Sequence, residues 1–106
     1  MAWTALFFAG LFEVLWAFTM KQSEGFTRLT PSIVTFAAMF ASFGLLAMAM
    51  KSLPLDTAYT IWTGIGAVGA FFLGITLLGE PINLPRVAAA VLIVAGLVLM
   101  KVSTPA

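Results

Sequence analysis

Long runs of apolar residues dominate the pattern along the chain. Residues 2–20, 32–50 and 58–79 form windows of 19, 19 and 22 residues, and the only charged residue within them is Glu13. A helix needs about 20 mostly apolar residues to cross a bilayer, and such a run with few charges is a candidate span. The pattern therefore predicts three transmembrane helices.

A fourth and shorter window covers residues 87–100, with 14 uncharged residues. A run of this length could equally belong to a re-entrant or buried segment. Arg86 and Lys101 flank it, and their long side chains can carry the charged groups to the two membrane surfaces. Pro85 is typical of the first turn of a helix. We therefore expect a fourth helix over about residues 85–102.

Short connections separate the windows. Segments 21–31, 51–57 and 80–86 contain Gly25 and four of the five prolines, which are typical turn residues. We expect one four-helix transmembrane domain over residues 1–106. The first window has no basic leading region and no A-x-A cleavage site, so we expect it to stay attached instead of being removed as a signal peptide.

Composition narrows the function classes. The chain is 62% hydrophobic and 8% charged, whereas soluble domains have about 45–50% and about 25%. It has no cysteine and no histidine, which argues against disulfides and the commonest metal sites, and we expect neither metal nor cofactor. A net charge of +1 is too small for a nucleic-acid footprint. No nucleophile with a base and no phosphate-binding loop is visible, so we do not expect an enzyme.

The basic residues are nearly balanced between the two sides of the predicted bundle. Lys21, Arg28 and Arg86 fall on one side, and Lys51 and Lys101 on the other. Cytoplasmic loops normally carry the excess of Lys and Arg, and three against two sets no clear direction. A weakly biased single orientation is one interpretation. We favour insertion of the same chain in both orientations.

Glu13 is the only acidic residue inside a predicted span. A charged group at mid-span costs about 2.5–3.5 kcal/mol on insertion scales and usually marks a transport path or proton relay. Trp16 lies three residues on and shares its helix face, with an indole that can only donate. Gly10, three residues back, leaves space beside it. The alternative is that a protonated Glu13 only joins neighbouring helices by a hydrogen bond.

Other polar groups accompany this acid in the remaining windows. Tyr59 and Trp62 have the same three-residue spacing, and Ser42 lies midway along the second window. Aromatic residues are also common in an interfacial belt, and a serine can bond to its own helix. Trp3, near the start of the first window, has the position expected for such a belt, but Trp16 and Trp62 lie several residues inside their windows. We therefore count these polar groups as candidate site residues.

The third window is rich in glycine. Gly64 and Gly66 lie close together just after Trp62, so we expect a hinge or a packing contact there. Small residues recur every fourth position as far as Gly74, and a weaker stripe in the fourth window includes Gly96. Such stripes let helices approach closely, and the second could serve contact between chains.

Three segments carry a family resemblance: A-G-L-F-E-V-L-W-A at 9–17, S-L-P-L-D-T-A-Y-T-I-W-T-G-I-G at 52–66, and G-E-P at 79–81. With them, the chain resembles the small multidrug resistance transporters along its whole length. Within that family the chain is most similar to the guanidinium-exporter branch. The residues that carry this similarity are Gly10, Trp16, Ser42, Tyr59 and Trp62.

The resemblance implies an all-α protein of the bacterial plasma membrane that works as an antiparallel, dual-topology homodimer. Two copies of Glu13 would enclose one site, where protons and guanidinium compete, and the result would be proton-coupled guanidinium export by alternating access. Trp16, Ser42 and Trp62 would donate hydrogen bonds to the carboxylates, and Tyr59 would line or gate the site.

Two alternatives remain open at this stage. The first is proton-coupled export of quaternary ammonium compounds and other hydrophobic cations, which aromatic rings attract through cation–π interactions. The second is a structural membrane protein or a small regulatory subunit without transport activity, in which Glu13 only joins helices.

Overall fold

The computed structural model describes residues 1–104, and they form four α-helices with no β-strand among them. The helices are α1 (Ala2–Gln22), α2 (Leu29–Ala49), α3 (Leu55–Thr76) and α4 (Leu84–Ser103). Each is long and apolar enough to cross a membrane. The predicted all-helical membrane architecture, with four helices per chain, is confirmed.

Helix α4 is longer than the uncharged window from which it was predicted. It includes both Arg86 and Lys101 within Leu84–Ser103. The side chain of Asn83 caps its first turn by accepting a 3.0 Å hydrogen bond from the backbone N–H of Arg86. Lys101 lies in the last turn, where a cation complements the carbonyl end of the helix.

Helices α2 and α3 both begin three residues before the predicted windows. Helix α2 begins at Leu29 and accommodates Pro31 in its first turn, where the missing N–H of proline costs little. Helix α3 begins directly after Pro54, has Asp56 in its first turn, and ends at Thr76. An acidic residue is favourable at this position because it faces the positive end of the helix dipole.

Helix α1 occupies the centre of the packing. It packs against both α2 and α3, whereas α4 packs against α3 alone. The core is formed by small and apolar side chains of α1, α2 and α3, among them Leu6, Ala9, Ala49, Ile61 and Trp62. No residue of α4 is buried.

A tight connection fixes α1 to α2. Glu24, Gly25 and Phe26 all have positive φ values, and the backbone N–H of Phe26 donates to the hydroxyl of the buried Ser23 at 3.0 Å. The positive φ values and this hydrogen bond reverse the direction of the chain, so α2 runs back alongside α1. The site described next lies between these two helices and α3.

Candidate functional site

Glu13 extends from α1 towards α3, and its carboxylate lies against Gly66. A Cβ atom built at Gly66 would overlap all three atoms of that carboxylate group. The glycine therefore lets an acidic side chain approach the α3 backbone more closely than any other residue at position 66 would allow.

Polar atoms of α1 remain unpaired at this contact. Among residues 1–104, the buried Oε1 of Glu13 and the buried Nε1 of Trp16 have no hydrogen-bond partner. The expected bond from Trp16 to Glu13 is therefore not made within one chain. A buried polar group without a hydrogen-bond partner destabilises a protein. The unpaired carboxylate oxygen is therefore free to accept a hydrogen bond from a bound cation that carries N–H groups.

Ser42 joins three helices by two hydrogen bonds. Its hydroxyl accepts from the indole Nε1 of Trp62 at 2.9 Å and donates to the carbonyl of Ala9 at 2.7 Å. Ser42 is fully buried and Trp62 is only 8% exposed. The family resemblance implies that both groups donate to the carboxylates. In the single chain they instead fix α1 at Ala9, one helical turn before Glu13.

Four aromatic rings from α1, α2 and α3 lie in a row. The ring of Phe43 contacts Trp16 edge-on at 6.4 Å between centroids, and it contacts Trp62 edge-on at 5.8 Å. Tyr59 continues the row at 5.6 Å from Trp62 and is half exposed. We call Trp16, Phe43, Trp62 and Tyr59 the aromatic row.

Phe43 is the member of this row that sequence reasoning missed. It is one of ten phenylalanines in an apolar chain, and its position next to Ser42 was the only available signal. Ring contacts and a hydrogen bond thus connect Trp16, Tyr59, Trp62 and Ser42, with Phe43 between the two indoles. The contact of the Glu13 carboxylate is with Gly66 of α3.

The other predicted glycines serve close packing in this structure. A Cβ at Gly10 would overlap Ile65, so the space beside Gly10 is filled by α3 and not left open next to Glu13. A Cβ at Gly64 would overlap Leu97 of α4. Helix α3 continues through Gly64 and Gly66 without interruption, and the hinge stays a prediction.

The described residues, 1–104, contain no group of three or more acidic, histidine or cysteine residues that could hold a metal ion. The candidate site therefore comprises the Glu13 carboxylate, the aromatic row and the hydrogen bonds of Ser42. Four helices long and apolar enough to span a membrane, one of which carries an acidic residue, define a multi-pass membrane protein. An acidic residue inside a span usually marks an ion or proton path in such proteins.

Comparison with known proteins identifies the family. The sequence model of the family described as Small Multidrug Resistance protein matches residues 1–93, and the chain belongs to this family. Together with the four spanning helices, this membership makes it a multi-pass protein of the bacterial inner membrane.

Relatives named guanidinium exporters align with nearly the whole chain. The guanidinium exporter of Escherichia coli strain K12 is 57% identical over 104 residues, which cover 98% of this chain and 99% of the exporter. The guanidinium exporter of Yersinia pseudotuberculosis is 58% identical, and the alignment covers 98% of this chain and 100% of the exporter. The guanidinium exporter of Citrobacter freundii is 55% identical, and the alignment covers 98% of this chain and 99% of the exporter. The resemblance to this branch of the family is confirmed.

Proposed function

We propose that the protein exports guanidinium in exchange for protons, with Glu13 from two antiparallel copies forming the shared binding site. The observation that carries the proposal is the Glu13 carboxylate, which lies against Gly66 with one buried oxygen unpaired. The similarity to guanidinium exporters over nearly the whole chain supports the substrate.

Competition between proton and cation follows from the shared carboxylates. Two like charges in a poorly solvated site repel each other, and either bound protons or a bound cation can neutralise them. Proton entry then displaces the cation, and the cation displaces protons. If the conformational change proceeds only with the site occupied, the proton gradient drives the cation outward.

Guanidinium suits a site with directed hydrogen bonds. It is planar and rich in N–H donors, so it can bridge carboxylate oxygens in the bidentate manner of arginine. The bonds from Trp62 to Ser42 and from Ser42 to Ala9 hold α1 near Glu13. We propose that Trp16, Ser42, Trp62 and Tyr59 orient the two carboxylates through this framework.

Two features support an antiparallel homodimer. Lys and Arg are divided three against two between the sides of the bundle, and no residue of α4 is buried within the single chain. Two oppositely inserted copies would supply the inverted pair that larger transporters build from internal repeats around a midplane site.

The aromatic row favours a second candidate function. Rings of Trp16, Phe43, Trp62 and Tyr59 could attract quaternary ammonium ions by cation–π interactions without any hydrogen bond. A comparison of guanidinium with tetramethylammonium separates the two, because only guanidinium can donate to Glu13. Preferential transport of tetramethylammonium would support the second candidate.

The decisive experiment measures guanidinium uptake into liposomes that contain the purified protein and a pH gradient. Glu13→Gln should abolish transport and cation binding while the dimer still assembles. The reason is that the neutral amide neither takes up a proton nor carries the negative charge that pairs with the cation. The matched control is Glu24→Gln, because Glu24 lies exposed in the connection between α1 and α2.

Cation binding to the unmodified protein should weaken as pH falls, because protonation removes the charge that the cation pairs with. Binding that stays constant across the acidic range, or transport by Glu13→Gln at the unmodified rate, would contradict the proposal.

A further inference from the structure

A groove opens between α1 and α4 at the end of the bundle where the chain begins. The backbones of α1 and α4 do not approach each other closely, and the two helices meet where Lys101 lies over the Trp3 ring. Between them, α3 forms the floor through Ile61 and Ile65. The groove has a volume of about 290 Å³. We call it the α1–α4 groove; nine residues line it, among them Trp3, Leu6, Ile61, Ile65, Val98 and Lys101.

The groove is apolar along its length and basic at one end. Lys101 is the only charged residue that lines it, and its Nζ lies 4.9 Å from the ring centroid of Trp3. No carboxylate within residues 1–104 forms a salt bridge with this ammonium group. A tryptophan and a lysine at the helix ends are typical of the level of the lipid headgroups.

We infer that the α1–α4 groove binds an anionic phospholipid, with an acyl chain between the two helices and the phosphate at Lys101. The charge pattern matches this ligand, because a basic group stands where the headgroups lie and apolar side chains line the deeper part. A lysine near the membrane surface attracts anionic lipid headgroups.

A helix of a second copy is the other candidate occupant, and it matches less well. The spanning helices of this chain are largely apolar, and an apolar helix face supplies no counter-charge to the Lys101 ammonium. A lipid phosphate instead supplies a counter-charge and leaves the ammonium at the membrane surface.

The test uses native mass spectrometry of the full-length protein, stripped of lipid in detergent and then titrated with phosphatidylglycerol or phosphatidylcholine. We expect phosphatidylglycerol to bind about fivefold more tightly, the factor that corresponds to about 1 kcal/mol for one lysine near an anionic surface. Lys101→Gln should remove this preference. The matched control is Lys51→Gln, because Lys51 lies exposed at the same end of the bundle but outside the groove.

A second pair of variants tests the groove itself. Val98→Trp should fill the groove and prevent binding of the lipid, whereas Leu99→Trp should not, because Val98 lines the groove and Leu99 does not. Both valine and leucine are exposed in the single chain, so neither change disturbs the core.

Equal binding of the two lipids, equal effects of Lys101→Gln and Lys51→Gln, or unchanged binding to Val98→Trp would each overturn the inference. Dissociation of the dimer by Val98→Trp, with no lipid bound to the unmodified protein, would assign the groove to a second copy. The readout is lipid binding, so the result is independent of whether the protein transports guanidinium.

Discussion

At the scale of single residues, Gly66 sets the distance between the Glu13 carboxylate and α3. Gly66→Ala would place a methyl group where the carboxylate lies, and overpacking of this kind costs about 1–3 kcal/mol. We expect the protein to lose stability by about this amount and guanidinium affinity to fall because the Glu13 carboxylate is displaced. Thermal unfolding and titration of the purified protein with guanidinium measure the two effects.

The control for this substitution is Gly44→Ala, because a Cβ at Gly44 meets no atom within 4 Å. The guanidinium affinity of Gly44→Ala should match that of the unmodified protein. An unchanged affinity in Gly66→Ala would mean that the position of the carboxylate against α3 does not matter for binding.

Ser42 offers a second prediction at the same scale. Ser42→Ala would leave both the Trp62 indole and the Ala9 carbonyl without their partner, and hydrogen bonds between membrane helices contribute about 0.6–2 kcal/mol. We expect a lower unfolding midpoint and a larger loss of transport for guanidinium than for a quaternary ammonium drug, because directed bonds matter only to the former.

Ser32→Ala is the matched control, because Ser32 is only half-buried and its hydroxyl donates to the carbonyl of Arg28, the N-cap of its own helix. If Ser42→Ala reduced transport of both substrates equally, Ser42 would support the fold without contributing to selectivity.

At the scale of helices, the sequence was sufficient to predict four spans but not their limits. The hydrophobic windows stop at the first charged residue, whereas a helix can continue as long as its backbone bonds are made and the charged side chain reaches water. Helix α4 therefore includes both Arg86 and Lys101. Helix α2 begins before Pro31 because proline is compatible with a first turn.

The site was predictable where it depends on one helix and unpredictable where it depends on two. Glu13 and Trp16 share a face by spacing alone. The bonds of Ser42 to Trp62 and Ala9 join residues 20 and 33 positions apart, and they depend on how each helix is rotated about its axis. Hydrophobic windows that are apolar on all sides do not specify that rotation.

Helix α4 gives a prediction about assembly. A Cβ atom at Gly96 would meet no other atom within 4 Å, and Gly96 is exposed, so we expect Gly96→Leu to leave the fold of the single chain intact. Because small residues permit close approach of helices in lipid, we expect the dimer to weaken by at least about fivefold, the factor for about 1 kcal/mol of overpacking. Single-molecule photobleaching in liposomes over a range of protein densities would measure this.

Ala95→Leu is the control, because Ala95 is exposed on the neighbouring face of α4. A dimer that is equally stable in both variants would exclude Gly96 from the contact between chains.

At the scale of the whole molecule, the balance of basic residues predicts the orientation in the membrane. With three Lys and Arg on one side and two on the other, a tag at the C-terminus should be detected in both compartments. Two lysines added to one side should restrict the chain to one orientation and lower transport.

Co-expression with an oppositely biased copy should restore activity, because antiparallel pairs can form again. A uniform orientation of the unmodified protein, together with full transport activity, would refute dual topology.

The position of α4 has a consequence for how such proteins diverge. Because α4 packs against α3 alone and buries no residue in the single chain, its outward face can change without loss of the fold. Outside the α1–α4 groove, substitutions on this face act chiefly when two chains meet. After a gene duplication, each copy could therefore acquire its own preference for a partner through α4, while the Glu13 site and the core of the other three helices remain as they were.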